Sequence, residues 1–215
     1  MIKNIDSLRV YGRKKGKKKF NKEDLDNIKK FRFDFSKICN EKIIIDVGSG
    51  NGENALELSK NIPDYIIIAS DVFKDGNFNL SKSIVKNKIN NIKIYEKNVI
   101  VLFNYFINKK IDQIWILFPD PWPKRKHFKR RLINKNFFKI ITKIIKPSSK
   151  IYIATDSKNY LINILYDIKL GNLFKWANDI PPKWDYNNLG LVETKYFRKA
   201  AKNNRNSFFI ELLRI

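Results

Sequence analysis

The chain has 215 residues, of which 43% are hydrophobic and 13% aromatic, so it can bury one large core with little left for a second, and it is not a disordered segment. Its 44 Lys and Arg against 21 Asp and Glu give a formal charge of +23, which points either to a polyanionic partner or to a Lys-, Asn- and Ile-rich coding composition; only clustering separates the two. One cysteine, Cys39, and one histidine, His127, exclude an internal disulfide, a Cys-rich or multi-His metal site and most Ser-His or Cys-His catalysis.

The first basic cluster is RVYGRKKGKKK, Arg9 to Lys19, with seven cations, two glycines and almost nothing to bury. It reads as a mobile arm, either a plain solvated tail or one that orders on RNA. NKEDLDNIKKFRFDF then suggests a short helix and linker. Residues 1–40 are accordingly assigned to arm and linker, and 41–215 to the folded domain.

From Lys42 onward, short Ile- and Val-rich runs alternate with longer amphipathic segments. KIIIDVG (Lys42 to Gly48), YIIIAS (Tyr65 to Ser70), IKIYE (Ile92 to Glu96), DQIWILF (Asp112 to Phe118) and KIYIAT (Lys150 to Thr155) are predicted strands. Their unbroken apolar character suits strands covered on both faces. NGENALELSKNI and RRLINKNFFKIITKIIK are predicted helices. SFFIELLRI (Ser207 to Ile215) is a further strand and GLVETKYF (Gly190 to Phe197) is a candidate for another. Strand and helix in alternation predict an α/β, doubly wound, mostly parallel sheet, with an antiparallel pair at one edge. No apolar run is long enough to span a bilayer or to serve as a signal peptide, so a soluble, cytoplasmic protein is expected.

IIIDVGSGNGENALEL places Gly48, Gly50 and Gly52 between the first strand and a helix. Glycines there admit backbone angles closed to other residues and let a ligand lie against bare backbone. Asp71, after the second strand, is placed to accept hydrogen bonds from ribose hydroxyls. The spacing is G-x-G-x-G, not the dinucleotide G-x-G-x-x-G, and an acid, Asp46, precedes it. That acid repels a pyrophosphate and attracts a cationic ligand such as S-adenosylmethionine. The D/E-x-G-x-G-x-G pattern resembles that of class I methyltransferases, which implies a Rossmann-like seven-stranded sheet.

FPDPWPKRKHFKRRLI ends the fourth strand with Asp120 between two prolines, and six of the eight residues from Lys124 to Arg131 are Lys or Arg. Prolines fix φ and restrict their neighbours, so the loop is stiff and can hold one carboxylate in place. A rigid turn with a capping aspartate is the simpler account of the same residues. Six cations before a predicted helix oppose its dipole, which is costly unless an anion sits on them.

This stretch closely resembles the signature of the bacterial-type tRNA (guanine-N7-)-methyltransferases. VYGRKKGK, DVGSGNG, IYIATDSKNY and ETKYFRKA resemble further family motifs in family order. The resemblance implies methyl transfer from S-adenosyl-L-methionine to N7 of a guanine in the tRNA variable loop, by an enzyme without a metal. It implies that Asp46, Asp71 and Asn98 hold the methyl donor and that Asp120 is the catalytic acid. Lys124 and Asp156 would contribute to substrate binding, with Thr194 and Lys195 closing the site. Lys126, His127, Phe128, Lys129, Arg130 and Arg131 would contact RNA. Asn98 stands where the family commonly has Asp, Asp46 and Asp71 where Glu is frequent, and Phe197 where the family has Glu. A monomer is expected, with a homodimer as the alternative. The rival functions are a methyltransferase acting on an exocyclic amine, a non-catalytic RNA-binding protein on the same fold and, third, an NAD-dependent oxidoreductase.

Overall fold

The computed structural model describes residues 11–12, 14–16, 19–38, 41–107, 111–177 and 192–215. The remaining residues, including parts of the basic arm and residues 190 and 191 of the candidate strand, lie outside the description. The described strands are β1 (Lys42–Val47), β2 (Tyr65–Ser70), β3 (Ile92–Tyr95), β4 (Ile111–Leu117), β5 (Ile145–Thr155), β6 (Phe174–Trp176) and β7 (Phe208–Arg214). They form one sheet in the order β3-β2-β1-β4-β5-β7-β6. The first five run parallel, and β7 runs antiparallel between β5 and β6. The order reverses between β1 and β4, which opens a crevice at the carboxyl ends of those two strands.

The unbroken apolar runs have the expected cause. In β1, Ile43, Ile45 and Val47 enter one core layer and Ile44 the other, all buried. The helices that supply those layers are α2 (Glu53–Asn61), α3 (Lys74–Lys86), α4 (Val99–Phe103), α5 (Lys135–Ile141) and α6 (Lys158–Gly171). Ahead of the sheet, α1 (Lys22–Phe31) starts with a reciprocal cap: Asp24 N donates to Asn21 Oδ1 at 2.8 Å, and Asn21 N donates to Asp24 Oδ2 at 3.2 Å. Its Ile28 and Phe31 are buried in the core layer that holds α3.

Two elements differ from the sequence expectation. The long helix predicted over residues 130–146 is confined to α5. Asn134 Oδ1 caps its start by accepting from Asn136 N and Phe137 N. Beyond a turn, Ile144 and Ile145 join the sheet, where Ile111 N donates to Ile144 O at 2.8 Å and Ile145 pairs with Ile111. Pro147 lacks the N–H that a continuing helix requires. The candidate strand over 190–197 is not a strand where it is described. Residues 192–194 are irregular and Thr194 caps α7 (Lys195–Lys202), its Oγ1 accepting from Phe197 N at 3.2 Å. The antiparallel partner of β7 at this edge is β6, on the residues "FKW".

Candidate active site

The crevice is a 320 Å³ cavity over the ends of β1 and β4. Five pieces of chain meet there: the basic arm, the glycine turn after β1, the loop after β2, the Pro-rich loop after β4 with the turn that follows it, and the start of α7. Gly48, Gly50, Asp71, Asp120 and Lys195 all line it, together with Tyr11, Trp122, Arg130 and Tyr196.

The glycine turn needs its glycines for two separate reasons. Gly48, Gly50 and Gly52 have φ of 72°, 56° and 80°, in the left-handed region where a side chain is strained. A Cβ on Gly48 would meet nothing within 4 Å, and on Gly50 only Tyr196 at 3.8 Å, so these two present open backbone to the crevice. Gly52 faces the interior, where a Cβ would lie 2.4 Å from Leu80 Cδ1. It therefore serves packing and starts α2.

Asp46 lies beneath this turn, adjacent to a second small cavity that Thr194, Lys195 and Glu53 also line. It is 2% exposed. Asn54 Nδ2 donates to its Oδ1 at 3.1 Å, while its Oδ2 is buried without a hydrogen-bond partner. Burial, reinforced by the charge of Asp71 and opposed by Asn54, pushes its carboxyl up to about 7. Asp71 accepts from Gly50 N and from Phe73 N, each at 2.8 Å. Burial still raises its pKa, with the charge of Asp120 adding to the effect.

Asp120 sits on the loop after β4, its pKa raised by partial burial. The loop leaves the sheet where Phe118 N donates to Ala154 O at 2.8 Å. Phe118 (φ 53°) and Trp122 (φ 43°), one on each side of Asp120, both hold left-handed backbone. On the far side α7 covers the glycine turn. Glu53 accepts from Lys195 N and pairs with Arg198 at 2.7 Å. Tyr196 has its hydroxyl pKa raised by burial first and then by Asp71, Asp120 and Glu53.

Part of the basic arm folds back onto this site. Lys74 N donates to Lys14 O at 3.0 Å and Gly16 N to Asp75 Oδ1 at 2.8 Å, which brings Tyr11 edge-on to Trp122 with ring centroids 6.2 Å apart. The Arg130 guanidinium lies 4.9 Å from the Trp122 ring and 5.4 Å from the Tyr11 ring.

Other expected site residues lie apart from the crevice. Asn98 caps α4, with Ile100 N donating to its Oδ1 at 2.9 Å. Asp156 is ion-paired with Arg205 at 2.9 Å beyond the end of β5. Lys124, Lys126 and Lys129 are exposed on or beside a 3₁₀ turn, Arg125–Arg130. His127 is edge-on to Trp122 at 5.7 Å, its pKa lowered by desolvation and the cations around it. Arg131, expected to contact RNA, differs from these cations in its placement. It is 4% exposed and turned inward, with Phe128 stacked 3.7 Å from its guanidinium.

Sequence reasoning did not single out Tyr11, Tyr196, Glu53 or Gly76. The last had a readable signal, an isolated glycine in a helical segment; a Cβ on Gly76 would lie 2.1 Å from Gly50 O, so its absence lets α3 approach the turn. Among the described residues, no group of three His, Cys, Asp or Glu is arranged to hold a metal ion. Nor is any described helix long and apolar enough to cross a membrane.

Residues 40–210 match the family described as "Putative methyltransferase". A tRNA (guanine-N(7)-)-methyltransferase of Wolbachia pipientis wMel is 35% identical over 199 residues, covering 89% of this chain and 87% of that protein. Its counterpart in Neorickettsia sennetsu is 32% identical over 178 residues, covering 82% and 81%. The chain belongs to the tRNA (guanine-N7-)-methyltransferase family. Among solved structures, an antibiotic-related methyltransferase superimposes with a TM-score of 0.58 at 17% identity, covering 93% of this chain and 97% of that one. That likeness concerns the fold alone. As a methyltransferase of this family, the chain has its glycine turn and Pro-Asp-Pro loop lining one crevice.

Proposed function

We propose that this methyltransferase moves the methyl group of S-adenosylmethionine to N7 of a guanine in the tRNA variable loop. The observation that carries the reading is Asp46 Oδ2, a buried acceptor without a partner beside open glycine backbone. A carboxylate so placed is costly alone and becomes favourable when a cationic ligand approaches it. Asp46 would attract the cationic amino acid end of the donor, Gly48 and Gly50 would admit its backbone-close parts, and Asp71 would accept from its ribose. Asn98 and Asp156 retain roles only at the margin of this site, toward the adenine and toward the substrate respectively. When bound, S-adenosylmethionine supplies an electrophilic methyl group.

Guanine N7 carries an in-plane lone pair and no proton. Attack forms the N7–C bond as the methyl–sulfur bond breaks, and no general base is needed. A crevice lined by Asp71 and Asp120 and without a histidine suits that requirement. Positive charge moves into the guanine ring, so the Asp120 carboxylate is placed either to favour that charge or to accept from N1 and N2 and orient the base. Trp122 and Tyr11 offer aromatic faces to a base, and the exposed lysines of the 3₁₀ turn offer cations to flanking phosphates.

The test is incubation with labelled S-adenosylmethionine and unmodified tRNA, followed by digestion to nucleosides. Label in 7-methylguanosine is expected. Label in an N2- or N6-methylated nucleoside would replace this reading with an exocyclic amine target, and tRNA binding without any transfer would replace it with a non-catalytic role.

A further inference from the structure

Arg131 spends its whole guanidinium inside the protein. Its Nε donates to Pro121 O at 2.8 Å. Its two terminal nitrogens donate to Asn163 Oδ1 and, at 2.8 Å, to Asn159 Oδ1, both on α6. The rings of Phe128 and Tyr160 lie 3.7 and 4.8 Å from it. Tyr160 is itself fixed, its hydroxyl oxygen accepting from Ile133 N at 2.8 Å. These partners are all neutral, so a cation is held out of water without an acid beside it, an arrangement that is costly by itself.

The backbone of the loop it grips has few hydrogen bonds of its own. Pro119, Pro121 and Pro123 have no N–H to donate. Among the described residues, no backbone N–H from Pro119 to Pro123 is paired with a backbone carbonyl. Phe118 and Trp122 nevertheless keep positive φ on both sides of Asp120. Side-chain-bearing residues in that region are strained and persist only where their surroundings over-determine them. Tyr11, His127 and Arg130 pack on the Trp122 ring, but the hydrogen bond that reaches the loop's backbone is the one from Arg131 to Pro121 O, the residue next to Asp120.

We propose that Arg131 is a positioning residue: through Pro121 it latches the Pro119–Pro123 loop to α6 and so sets where the Asp120 carboxylate stands in the crevice. The inference rests on the reading of Asp120 given above. A lysine cannot replace the latch, because one ammonium on a flexible stem cannot serve three acceptors at fixed angles while stacking between two rings.

Single-turnover rates of Arg131→Lys, Asp120→Asn and the double variant test it, together with KM for tRNA. Arg131→Lys is expected to lower the rate about ten- to a hundredfold, the scale of a displacement of about 1 Å at a reacting group. KM for tRNA is expected to stay within about twofold, and the double variant to be no slower than Asp120→Asn, because both substitutions act through one group. Asn159→Ala, at an exposed position, removes one prong and keeps the latch testable should Arg131→Lys fold poorly; a several-fold loss of rate at unchanged KM is expected. Rate losses that multiply in the double variant would overturn the inference, as would a rise in KM for tRNA at unchanged rate. A wild-type rate for Asp120→Asn would remove the reading of Asp120 and the latch with it. A slow Asp120→Asn beside an unimpaired Arg131→Lys and Asn159→Ala would remove the latch alone.

Discussion

Asp46, near the end of β1, feels the charge of Asp71, which follows the neighbouring parallel strand β2: Asp71 braces the glycine turn by accepting from Gly50 N, and its charge adds to the burial that pushes Asp46 up to about 7. The protein thus keeps a nearly fully buried acid on the lining of a small cavity, where its neighbour repels its charge. A carboxylate so placed costs stability until a positive charge approaches it.

The sign of the resulting pH dependence is fixed. The folded-state pKa of Asp46, about 7, lies above the usual carboxylate range of about 4, so the folded protein binds this proton more tightly than the unfolded chain, and stability falls as pH rises from about 4 through about 7. Asp46→Asn should therefore raise the melting temperature of the ligand-free protein at pH 8, by the equivalent of a few kcal/mol, with the gain shrinking toward zero near pH 4. The same variant should lose the stabilisation that S-adenosylmethionine gives the wild type. Thermal unfolding at several pH values, with and without the donor, reads both effects.

Gly76→Ala should place a methyl group against Gly50 O, where a Cβ lies at 2.1 Å. Backbone on both sides leaves little room to yield, so a loss of about 1–3 kcal/mol is expected, with weaker donor binding because the turn itself is displaced. Gly171→Ala is the matching control, its Cβ meeting only Leu173 Cδ1 at 4.0 Å. Urea unfolding of both variants and calorimetric donor titration of the first separate the two sites.

Glu53 ties α7 to the start of α2 through Lys195 N and Arg198. The ion pair is half exposed, so Glu53→Gln should change stability by less than about 1 kcal/mol. Because α7 covers the glycine turn, the same change should raise KM for S-adenosylmethionine several-fold, measurable in the methyl-transfer assay.

The cations divide by where they point. tRNA affinity should fall about tenfold or more between 50 and 200 mM salt if several phosphates are neutralised. Replacing the exposed Lys124, Lys126 and Lys129 by Ala should flatten that slope. Arg131→Lys should leave it unchanged, since its guanidinium is buried. Filter-binding titrations across a salt series distinguish the two.

Much of this was legible in the residues. The apolar runs at Lys42, Tyr65, Ile92, Asp112 and Lys150 locate five strands because parallel strands are covered on both faces and need no alternation. The G-x-G-x-G turn and the Pro-braced Asp120 could be read because glycine and proline act locally on φ. Residues 130–146 misled because Ile recurs at helical spacing across the α5–β5 junction, and only pairing with Ile111 reveals where the helix yields to the sheet. The inward turn of Arg131 was not readable: in sequence it is the last of six cations, and its partners Asn159 and Asn163 are some thirty residues away. Tyr11 and Tyr196 reach the crevice through the folding back of two chain segments, a tertiary event that leaves no local trace.

The central claim concerns one atom of the acceptor base, and replacing that atom tests it most directly. A variable-loop guanosine exchanged for 7-deazaguanosine keeps the Watson–Crick edge and the stacking face but has no lone pair at position 7. The account predicts full methyl transfer to the unmodified loop, undiminished binding of the substituted tRNA, and no transfer to it. Transfer to the 7-deaza tRNA at the unmodified rate would contradict it.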